Sequence, residues 1–370
     1  MKFIFKYITI FVFIFFVHFN VYAVDYKLKC DVPEYDLKIN PDQLNIIIEL
    51  IKDRLSIDPI NTIYDVNFIQ SGKKIILSGK VLTEEQKLIT EAAFLQFTQV
   101  ENKISNFPFS DIGEKSYGIV KLPILNMYKQ PSNNSELLTQ LLMGTTLKLI
   151  NFNLDWAQVQ SEDDNCIGWV ENNGISMLNK DELYLWKRNI NIIISEKYTQ
   201  LYETNQESNI KLILYFTTKL KLLQKTNNDF YKVELPDNQI GYIKKIDCDF
   251  IDKVKLTPES IIKKSEIFLN TPYLKGGTTP LMCDSSGFIQ TLFRLYGYYL
   301  PRNLDKQKKI GKQISKISDI KIGDILFFKD YTGIYLGNNK IMGSEKFKNI
   351  TIKNLKENDL KEFNIGVRLE

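Results

Sequence analysis

The sequence predicts a multidomain α+β protein: a small α/β unit, then two copies of a small β-barrel, then a C-terminal domain in which helices and strands mix. Three observations carry that expectation. The chain has 370 residues, more than one hydrophobic core usually organises, so roughly two to four domains are expected. A set of short apolar and aromatic segments recurs at an offset of 73 or 74 residues, which marks a repeated unit. The last third alternates helix-capping signals with glycine-bounded strand patterns.

Residues 1–23 carry Lys2 and Lys6, an apolar run from Tyr7 to Val17, and Val21-Tyr22-Ala23 at the end, the layout of a secretory signal peptide. The run falls short of the ~20 residues that span a bilayer, and polar His18 and Asn20 follow it at once, which argues against a membrane anchor. Lys29 before Cys30 does not suit lipid attachment. No other stretch is apolar enough to span, so the mature protein is expected to begin near Val24 and to be secreted, periplasmic or held in the cell envelope. The 48 basic residues exceed the 44 acidic ones, and loss of two lysines with the signal brings the net charge to about +2, too little to favour nucleic acid.

Cys30, Cys166, Cys248 and Cys283 lie far apart, without the paired spacing of a zinc site, and no metal or other cofactor is expected. Export permits disulfides, but four thiols allow three connectivities and isolated buried thiols are an equal alternative. His18 is the only histidine. A chain cleaved after Ala23 therefore lacks the side chain most used for acid/base chemistry near neutral pH.

Residues 40–106 read as helix, strand, strand, helix, strand. Leu44, Ile47, Ile48, Ile51 and Leu55 recur at helical spacing; Ile63 to Phe68 alternates like a half-buried strand, and Ser71-Gly72 turns it into Ile75-Ile76-Leu77. Thr83 followed by Gln86 is a capping box opening the second helix. With the closing segment Val100 to Ile104, this unit resembles a BON (transport-associated) domain of the bacterial envelope; a generic two-layer α/β unit without a ligand is the alternative. Asn106 to Gly113, interrupted by Pro108, reads as a linker.

The repeat occupies residues 116–180 and 188–252. Leu147-Lys148-Leu149, Asp155-Trp156-Ala157-Gln158-Val159 and Ile167-Gly168-Trp169-Val170 return as Leu220-Lys221-Leu222, Asp229-Phe230-Tyr231-Lys232-Val233 and Ile240-Gly241-Tyr242-Ile243. With Leu125-Asn126-Met127-Tyr128 in the N-terminal part of the first copy, these residues resemble bacterial SH3 (SH3b) domains, whose units bind cell-wall peptides or flank a catalytic cleft. Trp156, Trp169, Phe230 and Tyr242 are candidates either for a ligand groove or for the aromatic anchors of a tiny core.

Residues 257–370 open with Thr257-Pro258-Glu259, a cap, a proline at the first helical position and an acid in the first turn. Then come Tyr273-Leu274-Lys275-Gly276-Gly277, Cys283-Asp284-Ser285-Ser286-Gly287-Phe288, Leu300-Pro301-Arg302, Ile322-Gly323-Asp324 and Tyr331-Thr332-Gly333-Ile334-Tyr335-Leu336-Gly337. Their order and spacing closely resemble the NlpC/P60 family of papain-like cell-wall peptidases, which cut between D-glutamate and the diamino acid of peptidoglycan stem peptides.

The resemblance implies a catalytic cysteine in an Asp-Cys-Ser-Gly-Phe motif, a histidine opening the His-Val-Gly-Ile-Tyr-Leu-Gly strand, and a third polar residue twelve positions on. Here those positions hold Ser285, Tyr331 and Gly343. A serine hydroxyl needs a base, and a phenol with an ordinary pKa near 10 is a poor one at neutral pH. Two routes to activity stay open: Cys283 as a displaced nucleophile, or Ser285 served by Lys275 or Lys329 with a pKa lowered by burial. The resemblance also implies that Tyr273, Asp284 and Ser286 help shape a stem-peptide pocket, with Lys275 where the family carries tryptophan. Asp284 reads equally as a helix N-cap. The expected function is noncatalytic binding of peptidoglycan stem peptides or muropeptides, or scaffolding of envelope enzymes. The alternatives are hydrolysis through Ser285 or Cys283, and a structural protein with a filled cleft.

Overall fold

The computed structural model describes residues 41–207, 209–345 and 347–369. The expected signal peptide and Cys30 lie outside them. The chain is a mixed α+β protein rich in strands and poor in helix. No helix among the described residues is long and apolar enough to cross a membrane.

The first unit runs α1 (Pro41–Arg54), β1 (Tyr64–Ser71), β2 (Lys74–Val81), α2 (Glu84–Leu95), β3 (Gln99–Asn106), in the order expected. Gly72, at φ +62°, makes the hairpin turn between β1 and β2. The Thr83–Gln86 capping box forms, opening the crossover helix that lets β3 pair parallel to β2. Leu44, Ile51, Leu77, Phe94 and Ile104 bury the helices against the sheet.

The first repeat supplies β4 (Tyr117–Val120), β5 (Ile124–Tyr128), β6 (Leu137–Leu142), β7 (Thr146–Asn153), β8 (Trp156–Ser161), β9 (Ile167–Glu171) and β10 (Ile175–Leu178). After α3 (Lys180–Asn189), the second supplies β11 (Ile192–Ile194), β12 (Tyr198–Tyr202), β13 (Ile210–Tyr215), β14 (Lys219–Lys225), β15 (Phe230–Glu234), β16 (Ile240–Lys244) and β17 (Cys248–Phe250). The expectation of closed SH3-like barrels is corrected here. The sheets are open, in the orders β10-β4-β7-β8-β9-β5-β6 and β13-β12-β16-β15-β14-β11-β17, so β6 and β10 end one and β13 and β17 the other. The physical reason at β6 is that its edge is covered from outside: the Thr278 hydroxyl donates to the Gln140 carbonyl at 2.7 Å.

The C-terminal domain follows with α4 (Pro258–Ser265), β18 (Thr278–Thr279), β19 (Met282–Cys283), α5 (Ser285–Arg294), α6 (Leu304–Gln307), β20 (Lys312–Ile314), β21 (Ile325–Phe328), β22 (Tyr331–Gly337), β23 (Lys340–Glu345), β24 (Thr351–Asn354), α7 (Glu357–Lys361) and β25 (Phe363–Arg368). Its antiparallel sheet has the order β20-β25-β21-β22-β23-β24. Phe288, Ile289, Leu292 and Phe293 of α5 pack on Ile325, Phe327, Ile334 and Met342, and Ile193 and Phe216 of the second repeat join the same core. On the other face of the sheet a second cluster gathers Leu326, Phe328, Tyr331, Ile341 and Leu355.

Candidate active site

Asp284 is the N-cap of α5, its side chain accepting the Gly287 N–H at 2.8 Å. Gly287 lets this first turn press on the preceding loop, because a Cβ there would lie 2.0 Å from the Gly277 carbonyl oxygen. Capping is only part of what Asp284 does. Arg302 forks onto both carboxylate oxygens, Nη1 to Oδ1 at 2.9 Å and Nη2 to Oδ2 at 2.6 Å, while the Gly276 N–H donates to Oδ2 at 2.9 Å. Burial works against ionisation of Asp284, but the Arg302 charge and these donors outweigh it and hold the carboxyl below its ordinary value. Ser286 donates to Asp284 at 3.0 Å and is contacted by Arg302. Both residues are thus saturated by Arg302. The sequence Leu300-Pro301-Arg302 signals no role for Arg302 beyond an arginine in a proline turn.

Ser285 is half-buried at the first position of α5, and its hydroxyl shares a 2.7 Å hydrogen bond with the hydroxyl of Ser344. Ser344, the residue after Gly343, was also missed from sequence. Thr332 and Ser344 pair across β22 and β23 on the face toward α5, in step with Ile334 and Met342. Tyr331 alternates to the opposite face. There its hydroxyl donates to the Thr351 carbonyl at 3.2 Å, and burial pushes the phenol well above its ordinary pKa. Tyr331 and Ser285 are therefore not brought together. Gly343 opposes Gly333, and a Cβ on Gly343 would lie 2.0 Å from the Thr332 carbonyl oxygen, so the strands approach too closely for a side chain.

The structure places the residues of both routes to activity. Cys283 is 1% exposed within the core around Phe288, and burial, with the neighbouring Asp284 charge, pushes its thiol pKa far up, the opposite of nucleophile activation. Cys166, Cys248 and Cys283 are all free and buried, so none of the three pairs in a disulfide. Burial raises the other two as well, Cys248 to about 12. Iodoacetamide is accordingly expected to leave all three unlabelled in the native protein and to label them in urea, read by peptide mass spectrometry. Lys275 is fully solvated, and its ammonium pairs with Glu136 of the first repeat at 2.5 Å, which raises its pKa rather than lowering it. Lys329 is exposed in the turn between β21 and β22. Among the described residues no lysine is hydrogen-bonded to Ser285.

Beyond Ser285, aromatic and polar side chains continue along the surface. Tyr273 is half-buried, and its ring meets Phe347 edge to face at 5.4 Å. Phe347 borders an open groove of about 670 Å³ that is lined also by Tyr331, Glu345, Lys348 and Lys353 and does not include Ser285. On the other side a polar ladder runs from the Thr278 N–H to the Gln140 side chain at 3.3 Å, from Gln140 to Asn126 at 3.1 Å and from Asn126 to the Tyr128 hydroxyl at 3.1 Å. Tyr128 stands opposite Trp169, and its ring meets Trp156 at 5.9 Å. The three rings line the half-buried outer face of the first repeat, opposite Met127, Ala157, Val159 and Val170 in its core. In the second repeat the corresponding pair, Tyr202 and Phe230, is buried, and Tyr242 is half-buried. Among the described residues no group of acidic, histidine and cysteine side chains is placed to hold a metal.

Comparison with known proteins agrees with this architecture. Residues 270–369 match the NlpC/P60 family, and residues 127–175 match the bacterial dipeptidyl-peptidase Sh3 domain. The gamma-D-glutamyl-L-lysine dipeptidyl-peptidase of Bacillus subtilis (strain 168) is 34% identical over 175 residues, covering 45% of this chain and 57% of its own. This chain thus spans little more than half the length of that relative. The protein of the same name from Bacillus cereus is 25% identical over 235 residues, 58% of this chain and 69% of its own. The probable endopeptidase NlpC homolog of Haemophilus influenzae is 39% identical over 93 residues, 24% of this chain and 50% of its own. A crystal structure of an NlpC/P60 family protein from Bacillus cereus shares the fold, with a TM-score of 0.60 and 20% identity over 68% of this chain and 99% of that one. The chain therefore carries a C-terminal NlpC/P60 domain preceded by a bacterial SH3 domain.

Proposed function

We propose that this chain is an exported, noncatalytic NlpC/P60 protein that binds peptidoglycan stem peptides in the cell envelope, with a BON-like unit at its N-terminal end. The observation that carries the reading is the hydrogen bond between Ser285 and Ser344: the hydroxyl at the start of α5 faces another hydroxyl and, among the described residues, no base. Tyr331, the nearest equivalent of a base in the sequence, is held protonated on the far side of its strand. Activation of Ser285 needs a proton acceptor within about 3 Å, which neither neighbour supplies.

Support for binding comes from side chains beside and beyond that centre. Tyr273 and Phe347, the mixed charges of Glu345, Lys348 and Lys353, and the aromatic row of the first repeat suit a peptide bearing both amines and carboxylates. The Bacillus relatives are named for gamma-D-glutamyl-L-lysine peptides, and that class is the ligand proposed here. Asp284 and Ser286, engaged by Arg302, act as the floor of the site and leave ligand contact to Tyr273 and its neighbours.

The test incubates residues 24–370 with muropeptides and intact sacculi, scoring fragments by mass spectrometry and binding by pelleting in the same tubes. The expected result is pelleting without new fragments. Fragments that disappear in Ser285→Ala would overturn the noncatalytic reading, and protein left in the supernatant would overturn the binding one.

A further inference from the structure

Where the two repeats meet the C-terminal domain, a cavity of about 400 Å³ lies apart from the residues of the Ser285 centre. Each unit supplies part of its wall: Glu162 and Asp163 come from the turn between β8 and β9, Thr217 from the turn between β13 and β14, Lys219 from the start of β14, and Arg294 from the last turn of α5, with Lys187 of α3 beside them. Three bases and two acids face it. Lys187 is paired with Glu162 at 2.6 Å, and Lys219 contacts the Tyr299 hydroxyl with its ammonium 4.5 Å from the centre of that ring. Arg294 approaches Asp163 only loosely, Nε to Oδ2 at 3.5 Å.

Two donors in this wall are unsatisfied. Arg294 is 5% exposed, yet its Nη1 has no hydrogen-bond partner among the described residues, and the same holds for the hydroxyl of Thr217, 2% exposed. A buried donor without an acceptor costs free energy that folding alone does not return. Thr217 carries a second cost, since a β-branched residue at φ +69° is strained. Strain of this kind concentrates at ligand clamps.

We propose that this junction is a second binding site, for a small molecule bearing a single carboxylate. Its oxygens accept from Arg294 Nη1 and the Thr217 hydroxyl, and its one negative charge balances the excess of three bases over two acids. The cavity suits a ligand of amino-acid to dipeptide size. Because three units share the wall, occupancy fixes their mutual arrangement and raises the melting temperature by mass action.

N-acetylglycine, a monoanion of fitting size, is the probe, titrated calorimetrically against the full chain with inorganic phosphate as a second oxyanion and chloride as control. Saturable binding of N-acetylglycine in the millimolar range or tighter is expected. Thr217→Val removes a hydroxyl with no protein partner, so the fold survives; it and Arg294→Lys, which keeps the charge but loses Nη1, are each expected to weaken binding about tenfold or more. Tyr273→Ala, at the other site, is expected to leave this affinity unchanged. Saturation by phosphate alone would overturn the assignment to a carboxylate. Absence of any saturable heat, or an affinity untouched by Thr217→Val, would overturn the site.

Discussion

Arg302→Ala is expected to destabilise the C-terminal domain by about 3–5 kcal/mol, read as a fall in the denaturation midpoint. The magnitude follows from what is left behind. The Asp284 and Arg302 side chains are 16% and 10% exposed, so removing the guanidinium strands a carboxylate in low dielectric with only backbone and hydroxyl donors. Arg302→Lys is expected to recover little, because an ammonium cannot fork onto both oxygens. Replacing the pair together, Asp284→Asn with Arg302→Met, is expected to cost less than Arg302→Ala.

The pH dependence distinguishes this from a packing defect. In the native protein Asp284 has a depressed pKa, so its contribution to stability is present above the unfolded value near 4 and is lost as pH falls through the lower folded value. In Arg302→Ala the sign reverses. The stranded carboxyl has a raised pKa, so the variant's deficit shrinks as acid protonates it. Denaturation midpoints of the two proteins at neutral pH and near pH 4 read the difference directly, and parallel profiles would sink the argument.

Rebuilding the family's triad is expected to fail at Gly343. Gly343→His or Gly343→Ala places a Cβ 2.0 Å from the Thr332 carbonyl oxygen and 2.5 Å from the Gly333 Cα, both backbone atoms that cannot rotate away. The strands must separate, at a cost of about 3 kcal/mol. Ser285→Cys with Tyr331→His avoids that clash but puts the imidazole on the face of β22 away from α5. Circular dichroism melts check the first expectation and muropeptide cleavage by the double variant the second. Cleavage would show that β22 carries residue 331 toward α5 after all.

Local features were legible in the sequence wherever a few neighbouring residues suffice to decide them. The Thr83–Gln86 capping box, the Thr257 cap, the turn at Gly72 and the repeated strand segments appear where the sequence places them. Periodicity and capping are short-range, and each is carried by residues within one turn or one strand. Closure of the repeat sheets was not legible, because nothing in an edge strand states which element will cover it.

At the site the division is the same. The sequence by itself determined which residues occupy the positions that the resemblance marks as catalytic: Ser285, Tyr331 and Gly343. The tertiary structure alone decided the partners: Ser344 for Ser285, Arg302 for Asp284, Thr351 for Tyr331, Glu136 for Lys275. These contacts join residues 18 to 139 positions apart. Strand register, alternation of faces and the docking of the first repeat bring them together, and those are set by burial of the whole core rather than by any local run of residues.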